Sequence, residues 1–392
     1  MMGNSFGRLF RVTTCGESYG IGKGSGLSVI VDGVPPGLKI TKEDIQKELD
    51  KRKPGVGKLN SPRKETDQCA IFAGIGQEGV TTGAPLGIII YNVDTQKVHI
   101  EQYRSYKDIF RPGHATYPFF MKYGESQDWC GAGRASGRET VARVAGGAIA
   151  KIILEREGIE IVSYTKECMG IKTKEMGFDE IKKNRGKNEI NCPDLEAAKK
   201  MEDAVLKIKG EGDTAGGVIE LIARGVPPGL GEPVFDKLNA TIAHALASIG
   251  AVKGVEFGAG FGVGNMKGSE NNDQPYLTKD GKVRFKTNNA GGFLGGMTNG
   301  EEIVARIAVK PTPTISKKQT SINMKTMKEE VLSPITRRDP TLVGRLWAVA
   351  EAMMAIAILD SLYMAKAYDS MARLDKKWIK LKELIKWTKT SH

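Results

Sequence analysis

The stretch Leu27-Ser-Val-Ile-Val-Asp-Gly-Val-Pro-Pro-Gly-Leu38 ends in a hexapeptide, GVPPGL at Gly33–Leu38, that returns at Gly225–Leu230. Each copy follows an apolar run, 27–31 or 218–223, and precedes a stretch with helical spacing. The second run alternates in part, as a strand with one buried face does. A second pair keeps the same order: Gly79-Val-Thr-Thr-Gly83 and Gly296-Met-Thr-Asn-Gly300 each stand before an apolar run. A third sets Arg138-Glu-Thr140 and its long helix against Arg338-Asp-Pro340 and a helix from Leu342 to about Lys366. Three pairs in one order predict an internal duplication. The two halves, roughly 1–160 and 210–370, would face each other and build a single domain over 1–392. Residues 166–209 are a lysine-rich variable segment that reads as solvated helix, and 375–392 a helical tail. Strands cluster ahead of each long helix, which predicts an α+β fold with mainly antiparallel sheets flanking long helices.

The chemistry is concentrated in Arg111–Gly147, RPGHATYPFFMKYGESQDWCGAGRASGRETVARVAGG. His114 follows Pro112-Gly113, a turn pair, so its ring belongs to a loop. Arg111, Arg134, Arg138 and Arg143 surround it in sequence. Arg134 lies in a Gly-Ala-Gly-Arg-Ala-Ser-Gly run, where missing side chains let a ligand approach the backbone. The residues after Arg138 read as a buried helix whose first turn offers free N–H groups to an anion. Taken singly, each feature reads equally well as a loop histidine or solvated arginines. Together they point to an anion that undergoes acid–base chemistry.

Composition narrows the classes. The net charge is +12, from 58 basic and 46 acidic residues. Aromatics are 7% and do not alternate with the basic residues, so no stacking platform for nucleic acid is visible. The opening MMGNSFGRLF lacks the pattern of a signal peptide. The most apolar run, Leu346–Leu359, is interrupted by Glu351 and reads as too short to span a membrane. Cysteines 15, 69, 130, 168 and 192 are scattered, which predicts free thiols in a reducing cytoplasm and no metal site. The glycine runs at 20–26 and 258–264 fit neither the phosphate-loop nor the dinucleotide spacing.

The segment from Arg111 resembles the RPGHAD…GGGRSSARET region of the chorismate synthase family. The resemblance continues in Gly16-Glu-Ser-Tyr-Gly20 (the family's GESHG), Pro62-Arg-Lys-Glu-Thr-Asp67, Gly229–Leu238, Ala251–Glu256, Ala290–Gly296, Lys310-Pro-Thr312 and Arg337-Arg-Asp-Pro340. It implies a β-α-β layered sandwich with pseudo-twofold duplication, assembled as a homotetramer. It also implies anti-1,4 elimination of phosphate from 5-enolpyruvylshikimate 3-phosphate to give chorismate, with reduced FMN as cofactor. In the family the reduced flavin supplies electron density as phosphate leaves, and its N5 accepts the C6 proton.

Carried over by position, the resemblance makes His114 the residue that assists phosphate departure and Asp339 a group near the flavin N5. Tyr19 and Ser136 complete the catalytic set. Arg134, Ala135, Ser136, Gly250, Ala251, Gly295, Lys310, Pro311, Thr312, Pro313, Thr314 and Arg337 become flavin contacts. Arg52, Lys58, Ser18, Arg111 and Arg138 become substrate or NADP contacts. The free pKa of histidine, about 6.5, would let His114 act as cation or acid near neutrality. Three positions depart from the pattern: Tyr19 and Arg338 stand for histidines, and Thr116 for an aspartate. Either the site is retuned, or the chain is a slow or non-catalytic flavin- and anion-binding paralogue. Flavin reduction likewise has two readings, NADPH bound by the chain itself or an external flavin reductase.

Overall fold

GVPPGL closes a strand in both copies, and it does so by the same contacts. The computed structural model describes residues 3–20, 24–53, 57–59, 66–93, 97–332 and 339–374. Gly33 and Gly225 have φ of +78° and +80°, and a side chain on either would run into a carbonyl oxygen, of Leu9 or Gly158. Only glycine satisfies both conditions. The rest of each loop docks on the threonine of the second repeated motif. Gly37 and Gly229 each donate their N–H to the carbonyl of Thr81 or Thr298 at 2.8 Å. Leu38 and Leu230 donate to the hydroxyls of the same threonines at 2.9 and 2.8 Å, and those hydroxyls donate to Pro35 and Pro227 at 2.6 and 2.7 Å. The two motif pairs are thus the halves of one docking unit, present twice.

The first half contains β1 (Ser5–Phe6), β2 (Arg11–Cys15), β3 (Gly26–Asp32), α1 (Lys42–Arg52), β4 (Cys69–Ala73) and β5 (Leu86–Tyr91), in the sheet order β1-β2-β3-β5-β4. Next come α2 (Lys97–Ser105), α3 (Thr116–Tyr123) and α4 (Thr140–Arg156). The second half contains β6 (Glu160–Cys168), β7 (Ile171–Lys172), α5 (Phe178–Asn184), α6 (Leu195–Gly210), β8 (Gly217–Arg224), α7 (Leu238–Ala247), β9 (Val252–Phe257), α8 (Gly268–Asn271) and two small hairpins, β10 (Pro275–Leu277) with β11 (Val283–Phe285) and β12 (Phe293–Leu294) with β13 (Met297–Thr298). It ends with β14 (Ile303–Val309), the hairpin β15 (Gln319–Ile322) and β16 (Glu329–Leu332), and α9 (Val343–Leu374). Its sheet runs β7-β6-β8-β14-β9. The order β2-β3-β5-β4 therefore returns as β6-β8-β14-β9, with α1 and α4 answered by α7 and α9. Every pairing between named strands is antiparallel.

Period-two burial forms the sheets. Leu27, Val29 and Val31 of β3 are buried while Ser28 and Ile30 face outward. In β14, Ile303, Ala305, Ile307 and Val309 are buried and alternate with more exposed neighbours. Helix α1 begins at a capping box, in which Asp44 N–H donates to Thr41 Oγ1 at 3.2 Å and Thr41 N–H to Asp44 Oδ2 at 2.9 Å. The inner faces of both sheets enclose α1, α4, α7 and α9 in one continuous core.

Two expectations change. Helix α9 is longer than the apolar run suggested, and Val343–Ala367 is long and apolar enough to cross a membrane. It is instead the core helix, with most of its apolar stretch buried and Glu351 satisfied inside the protein. The lysine-rich segment is not all solvated helix. Residues 160–172 form β6 and β7 of the second sheet, and α6 turns Ala197, Ala198, Met201 and Val205 into the core. The proposed tail, 375–392, lies outside the described residues.

Close packing of α4 on α9 depends on Gly147. A methyl added there would lie within 2.5 Å of the Ala352 Cα, a backbone atom that cannot swing away. Gly147→Ala would gain about 1 kcal/mol in helix propensity. Overpacking costs about 1–3 kcal/mol. The clash is with backbone, so it should win. The denaturant midpoint of the variant should fall, and an unchanged or raised midpoint would refute this packing.

Candidate active site

Arg111-Pro-Gly-His114 is a β-turn with proline at the second position and Gly113 at φ +68° in the third, a type II signature. His114 N–H donates to the Arg111 carbonyl at 3.1 Å. The Thr116 hydroxyl accepts from Arg111 N–H at 2.8 Å and locks the turn against α3. Two donors converge on His114 Nδ1: the Ala115 N–H at 2.9 Å and Arg111 Nη2 at 3.3 Å. An Nδ1 that accepts leaves the proton of neutral imidazole on Nε2. Burial, then the charges of Arg111 and Lys310, push the ring's pKa down to about 3. The structure thus holds the ring neutral, where the sequence reading had it poised to ionise near neutrality.

The ring and the Arg111 guanidinium stand between two clefts. Tyr106, Lys107, Phe119, Gln127, Asp128, Trp129 and Ala135 line the first; Pro313, Thr314, Ile315, Gln319 and Leu332 line the second. The second half reaches His114 through the stretch after β14: Lys310 Nζ donates to the Gly113 carbonyl at 2.6 Å, and Lys310 N–H is held by the Ala251 carbonyl at 3.0 Å. Arg111 lies over the Tyr106 ring at 5.8 Å and has no carboxylate partner among the described residues. A half-buried cation without a counter-charge is suited to an incoming anion.

Arg52 and Arg138 behave differently. Both are buried, and both close on Asp67, which is 0% exposed. Arg52 Nη1 meets Asp67 Oδ2 at 2.5 Å, Arg138 Nη1 meets Oδ1, and Arg138 Nε donates to Asn92 Oδ1 at 3.2 Å. Burial alone would raise the Asp67 pKa, but the two arginines hold it low. Arg52 also covers the start of α4, donating to Thr140 Oγ1 at 3.1 Å and the Gly137 carbonyl at 3.2 Å. The helix start expected to be open after Arg138 is closed by Ser136, whose hydroxyl accepts from Arg138 N–H and whose carbonyl accepts from Glu139 N–H, each at 3.2 Å. Arg134 is similarly engaged, with Thr14 Oγ1 at 2.8 Å, Asn4 Oδ1 at 3.0 Å and the Gly16 carbonyl at 3.1 Å. Arg143 bridges Glu139 at 2.8 Å and Ser248 at 2.6 Å, linking α4 to the end of α7.

The model of the family described as chorismate synthase matches residues 10–363. The chain belongs to the chorismate synthase family. A chorismate synthase of Acetivibrio thermocellus is 55% identical over 394 residues, covering 97% of this chain and all of the relative. One from Methanococcoides burtonii is 50% identical over 360 residues, 92% of this chain and 96% of the relative. A crystal structure of a chorismate synthase superposes with a TM-score of 0.71 at 29% identity, covering 92% of this chain and 93% of that one. The chain is a chorismate synthase-type enzyme, a lyase of aromatic amino-acid biosynthesis, and the non-catalytic paralogue is not favoured.

Within this family frame the remaining positions are placed as follows. Tyr19 is 2% exposed, packed edge-on against Tyr103 at 5.4 Å and roofed by Gly131. It is a core residue in this structure. Ser18 is buried beside it, below Gly131. Ser136 caps the short turn 137–139, accepting from Arg138 N–H at 3.2 Å. Gly250 is exposed, and Ala251, at φ +76°, begins β9's approach to Lys310. Gly295 is an exposed hairpin glycine between β12 and β13. Thr312 Oγ1 donates to the Asp339 carbonyl at 2.6 Å, and Pro311 lies exposed beside it. Asp339 Oδ1 is 2.5 Å from Arg345 Nη2, an ion pair not aligned as a hydrogen bond. Lys58 is exposed, its backbone N–H held by Glu189 at 3.1 Å and its carbonyl by Lys209 at 2.5 Å. Arg337 and Arg338 lie outside the described residues.

The structure thus gathers Arg111, His114, Ala135, Lys310, Pro313 and Thr314 around the clefts. Sequence reasoning missed Asp67, Asp128, Tyr106, Trp129 and Arg345. Asp67 lay inside a quoted motif, and its place at the end of a basic run was the available signal.

Proposed function

We propose that the chain converts 5-enolpyruvylshikimate 3-phosphate into chorismate by anti-1,4 elimination of phosphate, with reduced FMN in the site. The observation that carries this reading is a neutral His114 beside Arg111, which has no carboxylate partner among the described residues, between two clefts. Arg111 and Lys310 attract the anionic substrate. His114 offers Nε2–H to the departing phosphate, while Nδ1 is kept as acceptor by Ala115 and Arg111. Asp67, through Arg52 and Arg138, fixes the wall from which the 131–137 loop springs.

The residues fit a flat, anionic cofactor. The first cleft combines the rings of Tyr106, Phe119 and Trp129 with Lys107 and Arg111. Ala135, Ser136, Gly250, Ala251, Gly295, Lys310–Thr314 and Arg337 would hold FMN by the family's pattern, largely through backbone and small side chains, with Arg134 bracing the loop. When bound, reduced FMN supplies electron density as phosphate leaves and a site for the C6 proton. Asp339 and Ser136 lie on segments that would border it. A homotetramer is supported by Phe235 and Phe261, which are 91% and 88% exposed in the single chain. The five free thiols support action in the cytoplasm.

Anaerobic incubation with dithionite-reduced FMN and substrate should release chorismate and phosphate in equal amounts. No phosphate above a control without protein would sink the reading. NADPH consumption with FMN and no added reductase would assign flavin reduction to the chain itself; none would leave it to an external flavin reductase.

A further inference from the structure

Position 19 carries a buried tyrosine where the family pattern has a histidine. A carboxyl group, that of Asp128, stands near His114. It lines the same cleft as His114, Arg111, Lys107 and Trp129. Its Oδ1 accepts from the Cys130 N–H at 3.0 Å, which fixes the carboxyl, while Oδ2 is buried and has no hydrogen-bond partner among the described residues. The carboxyl fills the space that a side chain at Gly133 would take, so the glycine at φ +47° is what lets it stand there. A buried carboxylate oxygen without a donor is costly, and the cost is relieved when that oxygen carries a proton to give away or meets a ligand's donor.

The geometry points to Asp128 as an acid–base group of the cleft, acting opposite His114. This inference rests on the function proposed above. Elimination breaks a C–H and a C–O bond in the substrate and forms a C=C bond, with no net gain or loss of electrons. The proton that leaves C6 must end on the released phosphate or in water. Asp128 Oδ2 holds it on the way out, after the group that first takes it from C6: an O–H bond forms there as the proton arrives and breaks as it passes on, so the carboxylate is regenerated each cycle. Burial pushes the carboxyl's pKa up, the Cys130 N–H pulls it back, and Glu17, on the turn after β2, adds to the rise. Tyr106, Lys107, Arg111 and His114 are the other charged or titratable groups lining this cleft, and burial pushes the Tyr106 hydroxyl's pKa up.

Asp128→Asn keeps an oxygen for the Cys130 N–H but cannot titrate. Turnover should fall by about 10²-fold or more, with KM for the substrate little changed, and one limb of the pH–rate profile should disappear. Infrared difference spectra of the full-length protein across pH should show a protonated-carboxyl band that is missing in the variant. Asp128→Glu, which restores a titratable group, should recover part of the rate. Near-normal turnover of Asp128→Asn with an unaltered pH profile would overturn the inference. So would a folded Asp128→Glu no faster than Asp128→Asn. The infrared titration reads Asp128 without turnover, so its result stays separate from whether the wild-type protein makes chorismate.

Discussion

Replacing His114 with alanine should leave substrate binding nearly intact and cut chorismate formation by about 10²–10³-fold, the range for a lost hydrogen-bond donor to developing negative charge. Arg111 and Lys310 would still attract the anion, so KM should move far less than kcat. The pH dependence is the sharper measurement. The ring is pushed down to about 3 in this structure by burial, Arg111 and Lys310. It should therefore contribute no limb to kcat/KM between pH 6 and 9, because that quantity reports the free enzyme. A limb near pH 6.5 that vanishes in His114→Ala would show that the imidazolium is the working form. The same depression has a sign for folding. The unfolded chain binds the extra proton between about pH 6.5 and 3. Stability is therefore untouched by this ring above that window and declines as pH falls through it.

Glu351→Ala should produce the largest loss of stability. The Glu351 carboxylate is 0% exposed and accepts from Ser163 N–H at 2.7 Å and Lys151 Nζ at 2.8 Å, with Arg185 close against it. Lys151 in turn reaches Glu48 at 2.8 Å, and Arg185 lies over the Trp347 ring at 5.3 Å. Removing the central acid takes from Arg185 its carboxylate and leaves Lys151 with Glu48 alone, which costs about 3–5 kcal/mol. The denaturant midpoint should drop accordingly, and Glu351→Gln, which retains an acceptor for Ser163, should fall between. A shift of only a few tenths would mean that water enters and solvates the cations. Burial alone would raise the Glu48 pKa, but Lys151 and Lys51 bring it down to about 2. Its contribution is thus full above about pH 4.5 and is lost as pH falls through 2.

Much of the fold was legible because its signals are local. GVPPGL marked both strand ends, and the threonine motifs that dock them were visible as a second pair. The RPGH turn followed from proline and glycine in adjacent positions. What escaped was set by contacts far apart in sequence. Nothing local says that Arg52 and Arg138 share Asp67, so both looked available for a ligand. The burial of Tyr19 under Gly131 was not legible either, because it depends on a loop more than a hundred residues away. Asp128 has no local signal beyond being an acid before a glycine run, and only the fold brings it to the cleft of His114.

The repeated strand order has a consequence for how the chain matures. The main sheet pairings stay within residues 5–91 or within 160–309, so each sheet can assemble from its own stretch of polypeptide. The helix that covers the second sheet, α9, is made after both sheets, and it is also the partner of α4. Until it is made, the first hemisphere carries an apolar helix with one side bare. Closure of the core therefore waits on the synthesis of α9, and a truncation before residue 343 would release a protein with correct sheets and no interior seam.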